Sequence, residues 1–294
     1  MKTPGAGVQP VVLDLDGVEA ISDAIVLRDV RGRGPRPSLQ PLGTVDGTRR
    51  LRVRGPFNAL QRFAVTAAQG RRFANSTRDD NPIHVADNVV PGAMTVARIL
   101  LLPELLLPGF IAENLRVKFS ALSRYDTSTF HRFRFHPRLE NDALARMEIS
   151  FEASQGARTV ASGRLRGSVW QAVGAGVDGS VAVPVDVRSF LRSLDVDSDS
   201  YLRQAGDAYP HAFLAALPSG EMVRQLRGEG GLLNVLDLCF VEGDGLPLSG
   251  GDPPEVEVQG SLRPGSSFSK VLTRVVQGVR TYCQGFAMVF RTQG

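Results

Sequence analysis

The chain has 294 residues, room for about two domains, and its 43% apolar and 22% charged content excludes a disordered chain or a fibrous repeat. No run of 18 apolar residues occurs, since Val96 to Ala112 is broken by Arg98, Pro103, Glu104 and Pro108, so the sequence predicts no membrane-spanning helix. The net charge of +4 is uneven: residues 1–150 carry 21 Lys and Arg against 15 Asp and Glu, and residues 151–294 carry 13 against 15, so the first half attracts anions.

The first 60 residues hold Gly and Pro breaks and short strand-like runs such as Val11–Leu15 and Leu51–Val53. They read as an N-terminal extension that completes or flanks the first unit. Thr66 can cap a helix running to about Ser76, because its hydroxyl can accept from a backbone N–H of the first turn. A loop follows over Arg78–Asn88, then an apolar helix over Ala93–Leu102 that Pro103 and Glu104 end or kink. Strand character marks 114–120, 127–135, 143–151 and 159–170; in Phe130–His136, His131, Phe133 and Phe135 share one face, and Arg132, Arg134 and His136 the other. The Gly- and Ala-rich stretch 174–185 reads as a linker. A second cycle then begins, with a helix near 211–226 and strands near 232–241, 255–262, 270–276 and 280–291. Each half is one apolar helix followed by antiparallel strands, so the fold class is α+β and a doubly wound parallel sheet is disfavoured.

The segment Phe73-Ala-Asn-Ser-Thr-Arg-Asp79-Asp-Asn81-Pro-Ile-His84 carries the chemistry. Pro82 fixes the turn and pushes Asn81 out of helical geometry, so the loop can bring Asp79 and His84 side by side for acid–base work. The alternative is a helix-ending Asx turn with a structural histidine. The pattern Val65-Thr66-Ala-Ala-Gln69, Phe73-Ala74, Asp79-x-Asn81-Pro82-Ile83-His84-Val85, then Pro91-Gly92-x-Met94 opening an apolar helix, resembles the MaoC-like hydratase/dehydratase family over residues 65–170. Strand-like Leu115–Phe119 followed by Tyr125-Asp126 also matches it. The resemblance implies a hot-dog fold, a central helix wrapped by an antiparallel sheet, acting on 2-enoyl and 3-hydroxyacyl thioesters of coenzyme A or acyl carrier protein. It implies Asp79 and His84 as the catalytic pair, Asn81 positioning them, and the Gly92 N–H as part of an oxyanion hole, with no metal or other cofactor. The chain departs from the family pattern in having Thr77-Arg78 where Ser-Gly is usual and Val90-Pro91 before Gly92. Only seven residues lie between His84 and Gly92, a shortening that predicts an altered acyl pocket.

Other candidates are weaker. Ala205-Gly-Asp207-Ala-Tyr-Pro-His211 echoes the motif without its Asn, which marks a degenerate second hot-dog unit or an altered site at Asp207 and His211. Val11-Val-Leu-Asp14-Leu-Asp16-Gly17 resembles the first motif of haloacid-dehalogenase-type phosphatases, without the downstream lysine and acidic pair or the α/β alternation that family needs. Gly174-x-Gly176-x-x-Gly179 matches a dinucleotide fingerprint only as a string, because no helix pattern follows it. Arg49, Arg50, Arg52, Arg54, Arg132 and Arg134 could hold the phosphates of coenzyme A or phosphopantetheine or dock a carrier protein, or could be the solvated face of a sheet. No aromatic–basic stripe of a nucleic-acid binder accompanies them. The two cysteines, Cys239 and Cys283, and Trp170 read as core; so few cysteines exclude a disulfide framework, and with no apolar leader in MKTPGAGVQP they suit a cytoplasmic protein.

The expectation is therefore a double hot-dog, with an N-terminal extension over 1–60 and units over 61–173 and 185–294, paired edge to edge as a pseudo-dimer within the chain and able to form a homodimer. The expected activity is that of a lyase, a hydratase or dehydratase. The alternatives are an acyl-binding or carrier-docking protein without chemistry, a thioesterase on the same scaffold, and least of all a phosphatase. With 31 arginines to three lysines the composition fits a GC-rich genome, where polyketide and specialised lipid pathways are common.

Overall fold

Strand β7 (Ser128–Leu139) sets the pattern for the sheet, because its side chains alternate: His131, Phe133 and Phe135 are buried while Arg132 and Arg134 face solvent. In register with it, β8 (Leu144–Gln155) buries Met147, Ile149, Phe151 and Ala153. β9 (Arg158–Trp170) and β6 (Phe110–Phe119) extend the same apolar face with Leu165, Leu115 and Val117. The computed structural model describes residues 11–14, 25–29, 41–45, 48–53, 57–107, 110–139, 144–170, 184–196, 198, 201, 208–225, 231–241, 246–248, 252–260 and 268–291. The linker stretch, the Gly174-x-Gly176-x-x-Gly179 string, Asp16 and Asp207 lie outside the described residues, as do the side chains of the Arg49–Arg54 cluster and of Trp170.

Ten strands form one antiparallel sheet, ordered β11-β12-β13-β10-β6-β9-β8-β7-β5-β2. Here β2 is Ile25–Asp29, β5 Phe57–Ala64, β10 Gly231–Phe240, β11 Glu255–Gln259, β12 Phe268–Gln277 and β13 Arg280–Arg291. The two halves meet where β6 pairs with β10, Leu115 opposite Leu238 and Val117 opposite Leu236, so neither half exposes that edge. The first half runs β5-β7-β8-β9-β6 and the second β11-β12-β13-β10; no described strand of the second half occupies the place that β5 takes in the first. β2 adds to the outer edge of β5, and β1 (Val11–Asp14), β4 (Thr48–Val53) and β3 (Pro41–Val45) form a separate antiparallel sheet. Every described strand pair is antiparallel, so Asp14 ends a strand with none of the parallel scaffold that the phosphatase reading requires.

Helix α1 (Ala67–Thr77) starts at Thr66, whose hydroxyl accepts from the Gln69 N–H while the Gln69 side chain accepts from the Thr66 N–H. This reciprocal cap stabilises the helix start by about 1 kcal/mol. A single turn, α2 (Ile83–Ala86), interrupts the expected loop. The apolar helix α3 (Gly92–Leu106) runs past Pro103 rather than ending there. Proline removes one intrahelical bond, but burial of Leu100, Leu101, Leu102 and Leu107 around it, each side chain worth roughly 1.5–3 kcal/mol, outweighs that loss. In the second half α4 (Val185–Ser193) packs on α1 through Phe190 and Phe73, with ring centroids 5.5 Å apart. The apolar α5 (His211–Gln225) packs against α3. Cys283 is buried as the sequence predicts, but Cys239 is exposed, because β10 turns Leu238 and Phe240 inward.

Candidate functional site

α1 ends at Arg78, which takes the left-handed conformation at φ 55°, and its N–H and that of Asp79 both bond to the Ala74 carbonyl. That sharp exit turns Asp79 inward, where it is 2% exposed. The Asn81 N–H donates to Asp79 Oδ1 at 3.3 Å, the Asx turn that the sequence also allowed. α2 then carries His84 back across the turn, so that His84 Nε2 stands 3.6 Å from Asp79 Oδ2. Turn and dyad are thus one structure rather than rival readings.

The histidine is fixed in one tautomer. Its Nδ1 lies 3.0 Å from the Val89 carbonyl, which can only accept, so Nδ1 carries the proton and Nε2 is the port through which a proton enters or leaves. Burial alone raises the pKa of Asp79, but His84 with its Nε2 protonated, the Ser219 hydroxyl and the Asn81 N–H together bring it below the ordinary carboxylate value.

The second half completes the arrangement. Ser219 of α5 donates to Asp79 Oδ2 at 2.7 Å, and Asn81 Nδ2 donates to the Gly231 carbonyl at the start of β10 at 2.7 Å. α5 comes this close because residue 220 is glycine: a Cβ there would stand 2.4 Å from the Arg78 carbonyl and 2.6 Å from that of Thr77. Gly220→Ala is expected to force backbone apart, costing about 1–3 kcal/mol of stability and lowering turnover by more than the melting shift accounts for, because Ser219 moves with it; thermal melts and kcat measured side by side check this. Ser219 had no motif to announce it, since it belongs to a different half and its partner is 140 residues away.

A cleft of about 50 Å³ opens beside the dyad, lined by His84, Asn81, Gly92, Ser219, Phe119 and Leu233, among others. Asp79 does not line it and stands behind His84 and Ser219. Gly92 begins α3 after Pro91, and the first N–H groups of a helix have no intrahelical acceptor, so they and the helix dipole favour negative charge at this wall. Among the described residues no group of three or more His, Cys, Asp or Glu side chains converges to hold a metal ion.

The other predicted residues lie elsewhere. His211 starts α5 against the Tyr282 hydroxyl rather than a carboxylate, and burial pushes its pKa down to about 4. Glu104 of α3 reaches the same place, taking the Tyr201 hydroxyl and the Ala212 N–H of the first turn of α5. The helix start that corresponds to Gly92 is therefore filled by side chains of the chain itself. Arg132 and Arg134 lie on the opposite face of the sheet from the cleft; Arg132 pairs with Glu152 at 3.6 Å.

Neither family models nor curated protein sequences match the chain; the likeness lies in three dimensions. A structure described as a MaoC-like dehydratase superposes with TM-score 0.56 at 10% identity, covering 82% of this chain and 97% of that one. This is a hot-dog fold. HtdX of Mycobacterium tuberculosis gives 0.51 at 12% identity over 80% of this chain and all of that one. The peroxisomal multifunctional enzyme type 2 of Drosophila melanogaster gives 0.54 at 12% over 79% of this chain and 48% of that one. In hot-dog terms α3 and α5 are the two central helices, and the dyad sits at the start of the first and beside the middle of the second.

Proposed function

We propose that the chain is an acyl-thioester hydratase or dehydratase, with one composite site at the junction of its halves. The observation that carries this is the Asp79–His84 dyad, whose histidine faces the first turn of α3 across a small cleft. A thioester carbonyl placed against the Gly92 N–H polarises toward the enolate, which acidifies the α-carbon and opens the β-carbon to water. His84 Nε2, backed by Asp79, takes a proton from the attacking water as its oxygen bonds the β-carbon, and the dyad returns one proton to the α-carbon. The reverse sequence expels water. Asn81, tied to Gly231, holds the turn, and Ser219 holds the carboxylate. Atoms balance with water as the only co-reactant, so the chain's own residues suffice, and the acyl group arrives on coenzyme A or an acyl carrier protein.

The test is absorbance of the enoyl-thioester band with crotonyl-coenzyme A, with parallel assay of free thiol. Loss of the band with the thioester intact supports the proposal. Thiol release would identify a thioesterase, and binding without turnover an acyl-binding protein; either overturns it.

Removing the serine hydroxyl tests the junction. Ser219→Ala withdraws one of the groups that lower the Asp79 pKa, so that pKa rises. The acidic limb of kcat/KM is expected to move to higher pH, with roughly a tenfold loss near neutrality, and Ser219→Thr, which keeps a hydroxyl, is expected to restore the limb. A pH profile of the three proteins decides it.

A further inference from the structure

The outer face of the ten-stranded sheet, opposite the helices, has an unusual composition. Such a face is ordinarily solvated and of mixed charge. Here one cross-strand row reads Arg134, Ser150, Arg164, Arg116, each opposite the next. Arg164 and Arg116 are directly opposed like charges on neighbouring strands, an arrangement that disfavours the sheet; Asp237 pairs with Arg116 at 3.8 Å and leaves Arg164 as the uncompensated member of the pair. The adjoining row on one side brings Arg132 and Lys118, and the one on the other side Arg166, all exposed. The carboxylates beside them are Glu148, Glu152 and Asp237, which pair with Arg138, Arg166, Arg132 and Arg116, so no ion pair reaches Arg134 or Arg164 among the described residues.

The same rows change character across the β6–β10 seam. Beyond Arg116 come Asp237, Phe286 and Leu272, and beyond Lys118 come Val235, Met288 and Lys270. Leu272 is 52% exposed, and Phe268, packed edge-on against Phe290 at 4.8 Å, is 47% exposed. The Lys270 ammonium lies over the Phe286 ring at 4.4 Å. A shallow depression of about 520 Å³ runs here between Cys239, Leu272 and Phe286. One continuous face is therefore mainly cationic in its first half, while its second half sets Phe268, Leu272, Phe286 and Phe290 among Asp237, Lys270 and the Arg274–Glu257 ion pair.

We infer that this face docks on an anionic lipid surface. Phosphate headgroups would lie between the opposed arginines, and Phe268, Leu272 and Phe290 would enter the acyl boundary beside them, without any spanning element. A lipid surface offers negative charge and apolar depth side by side over the width of several strands. A nucleic acid supplies the charge but asks for aromatic rings along the cationic track, and here Phe130, under Arg62, lies within it while Phe268, Phe286 and Phe290 lie beyond the seam. A second copy could cover the phenylalanines but leaves the arginine row uncompensated. The helix side, with the cleft, stays open while the outer face is docked.

Flotation of the full chain with phosphatidylcholine vesicles containing about a third phosphatidylglycerol tests this. Binding is expected near 0.1 M salt, lost toward 1 M as screening shortens to about 3 Å, and absent with phosphatidylcholine alone. Arg116→Glu with Arg164→Glu is expected to weaken partitioning at least tenfold, at about fivefold per arginine removed and more on reversal. Phe268→Trp, which keeps an aromatic ring and needs no loss of fold, is expected to show a blue shift of its emission on adding anionic vesicles. Absence of vesicle binding, equal binding to neutral vesicles, capture by heparin or RNA but not by vesicles, or an oligomer in sedimentation that hides residue 268 would each overturn the inference.

Discussion

Asp79→Asn is expected to lower kcat/KM for enoyl-thioester hydration by about 10³-fold, within the range general acid–base groups supply, while the protein stays folded. The substitution keeps shape and removes charge. Asp79 accepts from Ser219 and the Asn81 N–H and faces His84 Nε2. The two bonds fall on different oxygens, Asn81 on Oδ1 and Ser219 on Oδ2, so an asparagine whose NH₂ group takes the Oδ2 place keeps the Asn81 bond, lets the Ser219 hydroxyl turn to accept from it, and donates toward Nε2, the lone pair that has to take the proton. An asparagine turned the other way keeps the Ser219 bond but sets its NH₂ group against the Asn81 N–H and loses an acceptor in a buried place, a cost of about 1–3 kcal/mol. Both orientations damage the dyad, one in chemistry and one in stability. Melting temperature with activity separates them: activity gone with the melt unchanged is the expected result. Full activity in Asp79→Asn would remove the carboxylate from the mechanism and leave His84 alone beside the cleft.

The order of the elements was legible wherever local physics dominated. The Thr66 cap, the β7 alternation and the strand Arg280–Arg291 follow from capping and period alone. The loop chemistry of Asp79, Asn81 and His84 was legible because proline and Asx turns act within five residues. What escaped were the features that exist only after the halves meet. Ser219 and Gly231 touch the motif across 140 and 150 residues. Pro103 looked like a helix end because propensity cannot see the packed leucines that hold the helix through it. Whether His211 marked a degenerate unit or an altered site stayed open because the sequence could not show Tyr282 and Glu104 closing on the start of α5. Strands β2 and β3 and helix α4 had too little periodicity to be assigned, and β2 belongs to the sheet only through its pairing with β5.

That closed pocket around Glu104 gives the second large prediction, a stability maximum near pH 6.5 whose alkaline side disappears in Glu104→Gln. Burial pushes the Glu104 carboxyl from 4.5 up to about 8, against the smaller pull of Tyr201 and the Ala212 N–H. Between those values the folded protein keeps a proton that the unfolded chain has released, so unfolding releases a proton and stability falls as pH rises, by roughly 5 kcal/mol over the whole window. Burial acts oppositely on two histidines: His131 falls from 6.5 to about 3, with Arg98 adding to the effect, and His211 to about 4. Below pH 6.5 the unfolded chain takes up protons that the folded chain refuses, so stability falls with acidification. Between 6.5 and 4.5 two histidines act against one carboxyl and the acid loss prevails; above 6.5 the carboxyl acts alone. Tyr201 and Tyr282 are held well above 10 and stay out of this range. Glutamine keeps the acceptor for Tyr201 and Ala212 and puts an amide where Glu104 Oε1 has no partner. The variant therefore starts about 1–3 kcal/mol lower near pH 6, loses nothing further toward pH 9, and crosses the wild type on the way. Denaturant unfolding of both proteins from pH 5 to 9 measures this directly. An alkaline limb unchanged in Glu104→Gln would show that another group bears it and that the carboxyl at the start of α5 is already ionised.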